Sequence, residues 1–389
     1  MNILVLTTSF PTKKEGIWLG GPFVLSECLA YEKAGAKVTV ITPGVWNAPD
    51  EEILGENIRV KRFSYFLPKK AQIIKRANKA IYNKMDVLFY LQFPLFLFFF
   101  LLAILKNIKS IDIIHCNWTL TALLALPAKW FYKKPVVLTI RGSDLRLIPK
   151  FINNYILKKV NAVIAFLSPY PENIKMLNDF KANYIRLPLI VREPNINIPD
   201  TKDSTSDNVF TIVYIGRFDQ VKLDFGHGLF TLLEALKRLT TKYNLKCIYV
   251  GAGPLKKNLE DTALNLGINN IVNFAGYQKD VYPYLKRAHL VAGGVGLNAV
   301  AQEASISAKV QLIPKINGWY ENIWADKENS LLYETDDINS MAKAIEFALN
   351  NPEAIEKMGM NAFDTAKKYI AFGKEAGDIY IKAFKKIIR

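Results

Sequence analysis

The chain is poor in cysteine, histidine and acid. Its three cysteines, Cys28, Cys116 and Cys247, lie far apart among 389 residues, with no C-x-x-C pair. That excludes a disulfide scaffold and a cysteine zinc site, and it fits a reducing compartment. The three histidines, His115, His227 and His289, show no H-x-x-x-H spacing, so the pattern offers no histidine metal site. Acid is short by 16 charges: 35 Asp+Glu stand against 51 Lys+Arg. The deficit sits in residues 1–200, with 27 basic and 14 acidic residues, against 24 and 21 in the remainder. A basic excess of this kind implies an anionic partner: nucleic acid, anionic lipid or a phosphorylated substrate. No nucleic-acid motif accompanies it, so nucleic acid is not the expected partner. No leader is expected. The opening Met1–Ser9 has no basic n-region and too short an apolar run, and reads better as a buried strand. These features imply a cytoplasmic protein.

What is present is core material. Half the residues are hydrophobic and 22% are charged, which excludes disorder. Short β-rich runs alternate with helical periods. The first half gives strands at Ile3–Leu6, Lys37–Ile41, Ile58–Phe63, Ile111–His115, Val136–Ile140 and Ala162–Phe166. They read as continuous apolar runs, as strands covered on both faces do. Residues 193–209 are polar and without period, and are expected to form a linker. The alternation then restarts with strands at Phe210–Ile215, Lys246–Val250, Ile271–Phe274, Leu290–Ala292 and Val310–Ile313, and one helix running to about Tyr243. The expectation is α/β: two doubly wound Rossmann-like domains, 1–192 and 210–369, facing across a cleft. The last helix, about 370–389, is expected to return to the first domain.

In such sheets ligands bind beyond the carboxyl ends of the strands. The loop after Phe210–Ile215 holds Arg217 and Lys222, two cations that suit a phosphate or diphosphate, although solvated loop cations read the same way. The loop after Leu290–Ala292 is glycine-rich, Gly293-Gly294-Val295-Gly296-Leu297-Asn298, with Asn298 placed to cap the following helix. Glu303 falls beyond the first turn of that helix, where a solvent-facing role is the plainer alternative. Gly20-Gly21 opens a helix after the first strand. Gly251-Ala-Gly253 lacks the third glycine of a dinucleotide fingerprint and reads as a turn. Arg141 and Asp144 end the strand at Val136–Ile140. His115 ends a strand on the proposed cleft side, whereas His289 begins one and reads as structural.

Together these motifs resemble the retaining GT-B glycosyltransferases of family 4 (group 1). The stretches ILVLTTSFP, GGPFV, GAKVTVITP, IDIIHCNW, LTIRGSDL, YIGRFDQVK, YVGAGPLKKNLE and VNFAGYQKDVYPYLKRAH match that family's pattern in order and spacing over nearly the whole chain. The resemblance implies a hexosyltransferase that uses a nucleotide-diphosphate sugar, needs no cofactor or metal, and acts on a glycan or lipid-linked saccharide. It implies that Arg217 and Lys222 neutralise the diphosphate and that Glu303 binds the ribose. It places Gly21, Gly294, Gly296, Leu297 and Asn298 near the donor, and Tyr277 near the base. His115, Arg141 and Asp144 fall on the acceptor side. The sequence departs from the family at Val295, where the first Glu of E-x7-E is expected, at Arg141 in place of histidine, and in the LDFGH insertion after Lys222. A degenerate, non-catalytic sugar-binding protein or a sugar-nucleotide epimerase are the alternatives.

One segment is membrane-like. Val87–Leu105 carries no charge, and Arg59–Lys84 before it holds nine basic residues and no acidic one. With Pro94 inside it and α/β pattern on both sides, it reads as a buried helix or, through 59–105, as a peripheral contact with an anionic membrane at the inner face.

Overall fold

The computed structural model describes residues 1–14, 17–19, 21–46, 48–72, 87–140, 148–166, 177–179, 182–193, 209–224, 226–316 and 323–389. The chain divides into two compact units, Met1–Glu193 with Ala371–Arg389, and Pro194–Ile370. Most of the expected linker, and the candidates Arg141 and Asp144, lie outside the described residues.

The first unit opens with β1 (Asn2–Leu6), the short hairpin β2 (Thr12–Lys14) and β3 (Ile17–Leu19), and α1 (Pro22–Lys33). It continues through β4 (Lys37–Pro43), β5 (Glu51–Leu54), β6 (Ile58–Phe63), α2 (Val87–Asn107) and β7 (Ile113–Asn117). Then come α3 (Thr119–Tyr132), β8 (Val136–Thr139), α4 (Lys150–Lys159), β9 (Ala162–Phe166), β10 (Tyr184–Leu187) and β11 (Leu189–Ile190). Eight strands form one sheet in the order β10-β9-β8-β7-β1-β4-β6-β5, parallel except for the edge pair β5–β6. Apolar residues on both faces explain the layering. Leu4, Leu6, Ile114 and Leu138 face α2, α3 and α4. Ile3, Val5, Ile113 and Val137 face α1 and the last helix of the chain.

The second unit holds β12 (Phe210–Ile215), α5 (Gln220–Asp224), α6 (Thr231–Leu239), β13 (Leu245–Val250), α7 (Lys256–Asn265), β14 (Val272–Gly276) and α8 (Tyr282–Arg287). It ends with β15 (Leu290–Ala292), α9 (Ala299–Ile306), β16 (Val310–Lys315), β17 (Leu331–Glu334), α10 (Ile338–Asn350) and α11 (Pro352–Lys367). Its six strands run parallel in the order β14-β13-β12-β15-β16-β17. The two-residue strand β18 (Ile370–Ala371) leads into α12 (Gly373–Ile388). Tyr380 and Phe384 of α12 pack on Tyr31 of α1, and the Tyr380 hydroxyl donates to the Pro188 carbonyl at 2.8 Å.

Two elements differ from the sequence expectation. The strand expected at Ile111–His115 runs from Ile113 to Asn117. The single helix expected after β12 is two, α5 and α6, with 226–230 between them.

Candidate active site

The candidate residues of the second unit gather at one sheet edge. Parallel register pairs Ile215 with Val250, Tyr214 with Ala292, and Val250 with Gly276. The loops starting at Gly216, Gly251, Tyr277 and Gly293 therefore leave the same carboxyl-terminal edge, β12 and β15 being neighbours there.

Arg217 stands in the loop after β12, its side chain 68% exposed and its Nε 3.1 Å from Asp219 Oδ2. The other carboxylate oxygen of Asp219 accepts from the Lys222 backbone N–H at 3.1 Å. One carboxylate thus anchors the guanidinium and starts α5. The Lys222 Nζ lies 3.1 Å from His227 Nδ1 and 3.5 Å from Nε2, and His227 Nδ1 lies 3.1 Å from the Gly293 carbonyl. One nitrogen cannot serve both neighbours: a neutral ring with Nδ1–H donating to Gly293 leaves Nε2, at 3.5 Å, to accept from Lys222, whereas an Nδ1 that accepts from Lys222 does not donate to Gly293. In the first form His227 ties the loop after β12 to the loop after β15. From the sequence it falls in the LDFGH insertion. The signal available was its glycine-flanked position, Gly226-His227-Gly228, where a helix was expected to continue.

Burial sets the charge states. His227 is only 7% exposed. Desolvation first, then the Lys222 cation, lower its imidazole to about 4, against the opposing pulls of the Gly293 carbonyl and Asp219. Lys222 is lowered to about 8, by burial first and Arg217 second, with Asp219 opposing. At neutral pH the ring is uncharged and the ammonium is mostly protonated.

A pH effect follows. Below an unfolded value near 6.5 the unfolded ring takes up a proton that the folded ring refuses down to about 4. Stability contributed by His227 is therefore present above pH 6.5 and lost as pH falls toward 4, on the order of 3 kcal/mol in all. Urea unfolding at pH 7 and pH 4.5 is expected to show a shallower acid loss in His227→Asn than in the wild type. Equal losses would mean that the ring does not titrate in this window.

The glycine loop is built against the neighbouring strand. A Cβ on Gly293, at φ +93°, would lie 2.2 Å from the Ile215 carbonyl oxygen, and one on Gly294 would lie 2.6 Å from Gln311 Oε1. Trp324 Nε1 donates to the Gly296 carbonyl at 2.7 Å, and Leu297 packs beside Trp324 and Ile313. Asn298 caps α9, its side-chain oxygen accepting from the Ala301 N–H at 2.9 Å. Glu303 is half-buried in the second turn of α9. Val295, at the position where the resemblance asks for glutamate, is 3% exposed. Tyr277 follows β14 and is 49% exposed. A pocket of about 490 Å³ begins one residue later, between Gln278 and Arg287. Among the described residues no three His, Cys, Asp or Glu side chains come together as metal ligands.

The first unit gives a correction. His115 was expected to contact a sugar, but it is fully buried. Its Nδ1 lies 3.2 Å from the Tyr31 hydroxyl and its Nε2 2.7 Å from Thr139 Oγ1, and its ring packs on Phe384. The cause is the two-residue offset of β7, which puts His115 in mid-strand, where it holds core elements together. Gly21 lies at the start of α1, where a Cβ would come 2.4 Å from the Ser9 carbonyl oxygen.

Comparison with known proteins agrees with this architecture. Residues 23–166 match the family described as Glycosyltransferase Family 4, and residues 199–365 match Glycosyl transferases group 1. An uncharacterized glycosyltransferase of Haemophilus influenzae is 30% identical over 46% of this chain and 49% of its own length. The chain thus spans about half the length of that relative. A Campylobacter jejuni enzyme, named as an alpha-1,4-N-acetyl-D-galactosaminyltransferase acting on a diNAcBac-PP-undecaprenol glycan, is 23% identical over 70% of this chain and 74% of its own. The crystal structure of Anabaena Alr3699/HepE in complex with UDP superposes with a TM-score of 0.66 at 16% identity, covering 99% of this chain and 100% of that one. Glycosyltransferase families are thus matched in both parts of the chain, 23–166 and 199–365, and its two Rossmann-like units have the GT-B fold.

Proposed function

We propose that the protein transfers a hexose from a UDP- or GDP-sugar to a glycan or lipid-linked saccharide, with retention and without a divalent metal. One observation carries this reading: Arg217 and the half-buried Lys222 ammonium stand at the sheet edge where the loop leading to the capped start of α9 also begins. A departing nucleoside diphosphate develops charge, and preorganised cations and backbone N–H groups stabilise it where it appears. In the reaction the acceptor oxygen bonds to the anomeric carbon, and the bond from that carbon to the phosphate oxygen breaks. The diphosphate keeps the electron pair and accepts the acceptor's proton on the same face. Tyr277, after β14, is the proposed seat of the base. Support for UDP comes from the Anabaena complex, and support for a lipid-linked acceptor from the name of the Campylobacter relative. Val295 favours a second reading, a sugar-binding protein without turnover, since the loop offers no carboxylate there.

The test is a thermal-shift and calorimetry panel of UDP, GDP, ADP and CMP with EDTA present. One diphosphate at 100 times its Kd is expected to add about 2.7 kcal/mol of stability. Binding that vanishes on chelation would overturn the metal-free reading. Binding without turnover on any acceptor would favour the second reading, and no binding at all would remove the donor site.

A further inference from the structure

We propose that His227 is a positioning residue for the donor diphosphate: its ring holds the Lys222 ammonium at one place on the sheet edge and leaves the positive charge intact. This role rests on the reading above, in which Lys222 meets the diphosphate. A lysine head rides on a flexible four-carbon stem, and α5, which carries Lys222, is only five residues long. A cation that is to meet phosphate in one geometry needs a further anchor. Asp219 does not supply it, since one carboxylate oxygen takes the Arg217 Nε and the other the Lys222 backbone N–H. Among the described residues Lys222 Nζ makes no ion pair, and the side chain at hydrogen-bond distance from it is the His227 ring. A carboxylate in that place would pair with the ammonium and compete with phosphate for it. A neutral imidazole accepts one hydrogen bond and leaves two N–H groups for the ligand.

Both forms of the uncharged ring serve. Nδ1 accepts from Lys222 at 3.1 Å in one; in the other Nε2 accepts at 3.5 Å while Nδ1–H holds the Gly293 carbonyl. Burial keeps the ring uncharged at neutral pH. The ring is itself held fast. Gly226 and Gly228 on either side have φ of +61° and +70°, a backbone that favours glycine. The His227 backbone N–H donates to the Lys222 carbonyl at 3.1 Å. The Tyr249 hydroxyl donates to the Leu229 carbonyl at 3.0 Å, and the Tyr333 hydroxyl to the Gly226 carbonyl at 3.5 Å. Residues 226–229 are buried. The break between α5 and α6 is therefore a built seat, and it presents the imidazole to the end of Lys222.

The experiment is a double-mutant cycle on the full chain, read by calorimetric titration with UDP and with GDP in the presence of EDTA. His227→Phe keeps an aromatic ring and removes its nitrogens. It is expected to weaken binding of the nucleotide that the wild type takes roughly tenfold. With Lys222→Ala already in place, the same change is expected to cost less than about twofold. His227→Ala is run beside it, so that the cycle does not depend on one variant folding. His227→Gln is expected to recover most of the loss, because its amide oxygen accepts from Lys222 while its N–H donates to Gly293; a role in packing alone gives no such rescue. Equal losses with and without Lys222, or a His227→Gln protein as weak as His227→Phe, would overturn the proposal and leave the donor site standing. A wild type that binds neither nucleotide would overturn the donor reading, and this role with it.

Discussion

Lys222→Ala is expected to weaken nucleoside-diphosphate binding roughly 10- to 100-fold and to slow transfer by about 10²–10³, without destabilising the free protein. The side chain is a largely buried ammonium whose pKa has been driven down to about 8 by desolvation and by Arg217. Folding holds that charge at a cost, and removing it relieves the cost. In the wild type the two effects of pH have opposite signs. The free protein gains stability between pH 8 and about 10.5, because the unfolded lysine still binds the proton that the folded one has lost. Diphosphate affinity is expected to fall over the same range, because the cation proposed to meet the phosphate is being neutralised. Calorimetry and urea unfolding at pH 7 and 9 separate the two. A variant that loses stability and keeps affinity would make Lys222 structural.

Gly251→Ala is expected to cost the second unit more than about 4 kcal/mol, in the range reserved for severe clashes, and to lower its transition by roughly 10 °C. Gly251 has φ +153°, and a Cβ there would lie 1.8 Å from the Gly216 carbonyl oxygen. The loops after β12 and β13 cross at this point, and Phe218 N–H donates to the Ala252 carbonyl beside it. Gly276→Ala is the control. Its φ is also positive, +70°, but a Cβ there would meet nothing within 4 Å, so the expected cost is only about 1 kcal/mol. Scanning calorimetry of the two variants decides the matter. Equal losses would mean that backbone conformation, and not the crossing, sets the penalty. The crossing seats Gly216 and therefore Arg217, so diphosphate affinity is expected to fall with stability in Gly251→Ala.

The parallel sheets were legible in the sequence because strands covered on both faces are written as unbroken apolar runs. IDIIHCN and PVVLTI need no partner to be recognised. Strands at edges were not legible. Glu51–Leu54 alternates exposed and half-buried residues, and Leu331–Glu334 is four residues long; both owe their pairing to neighbours distant in the chain. Nor was it legible that Lys61, Arg62 and Lys69 of the charge run at 59–84 pair with acids on the adjoining segment, 50–52. At the candidate site, Arg217, Lys222 and Asn298 could be named from strand–loop–helix order alone. His227 could not. Its function as a bridge depends on a broken helix and on a carbonyl 66 residues away, and neither leaves a periodic trace. His115 failed through register: a slip of two residues preserves the face of the strand, yet moves a side chain from the sheet's rim into its middle.

The return of α12 to α1 has a consequence for synthesis. The first unit is discontinuous, and the second, roughly 180 residues, is inserted before its last segment. As the chain leaves the ribosome, Tyr31 and its neighbours in that core wait for Tyr380 and Phe384 while the entire second unit is translated, roughly 10–35 s. During that interval the nascent first unit presents an uncovered apolar groove beside its newly made sheet. A trigger for chaperone capture is thus built into the order of the chain, and the emergence of α12 is the event that closes it.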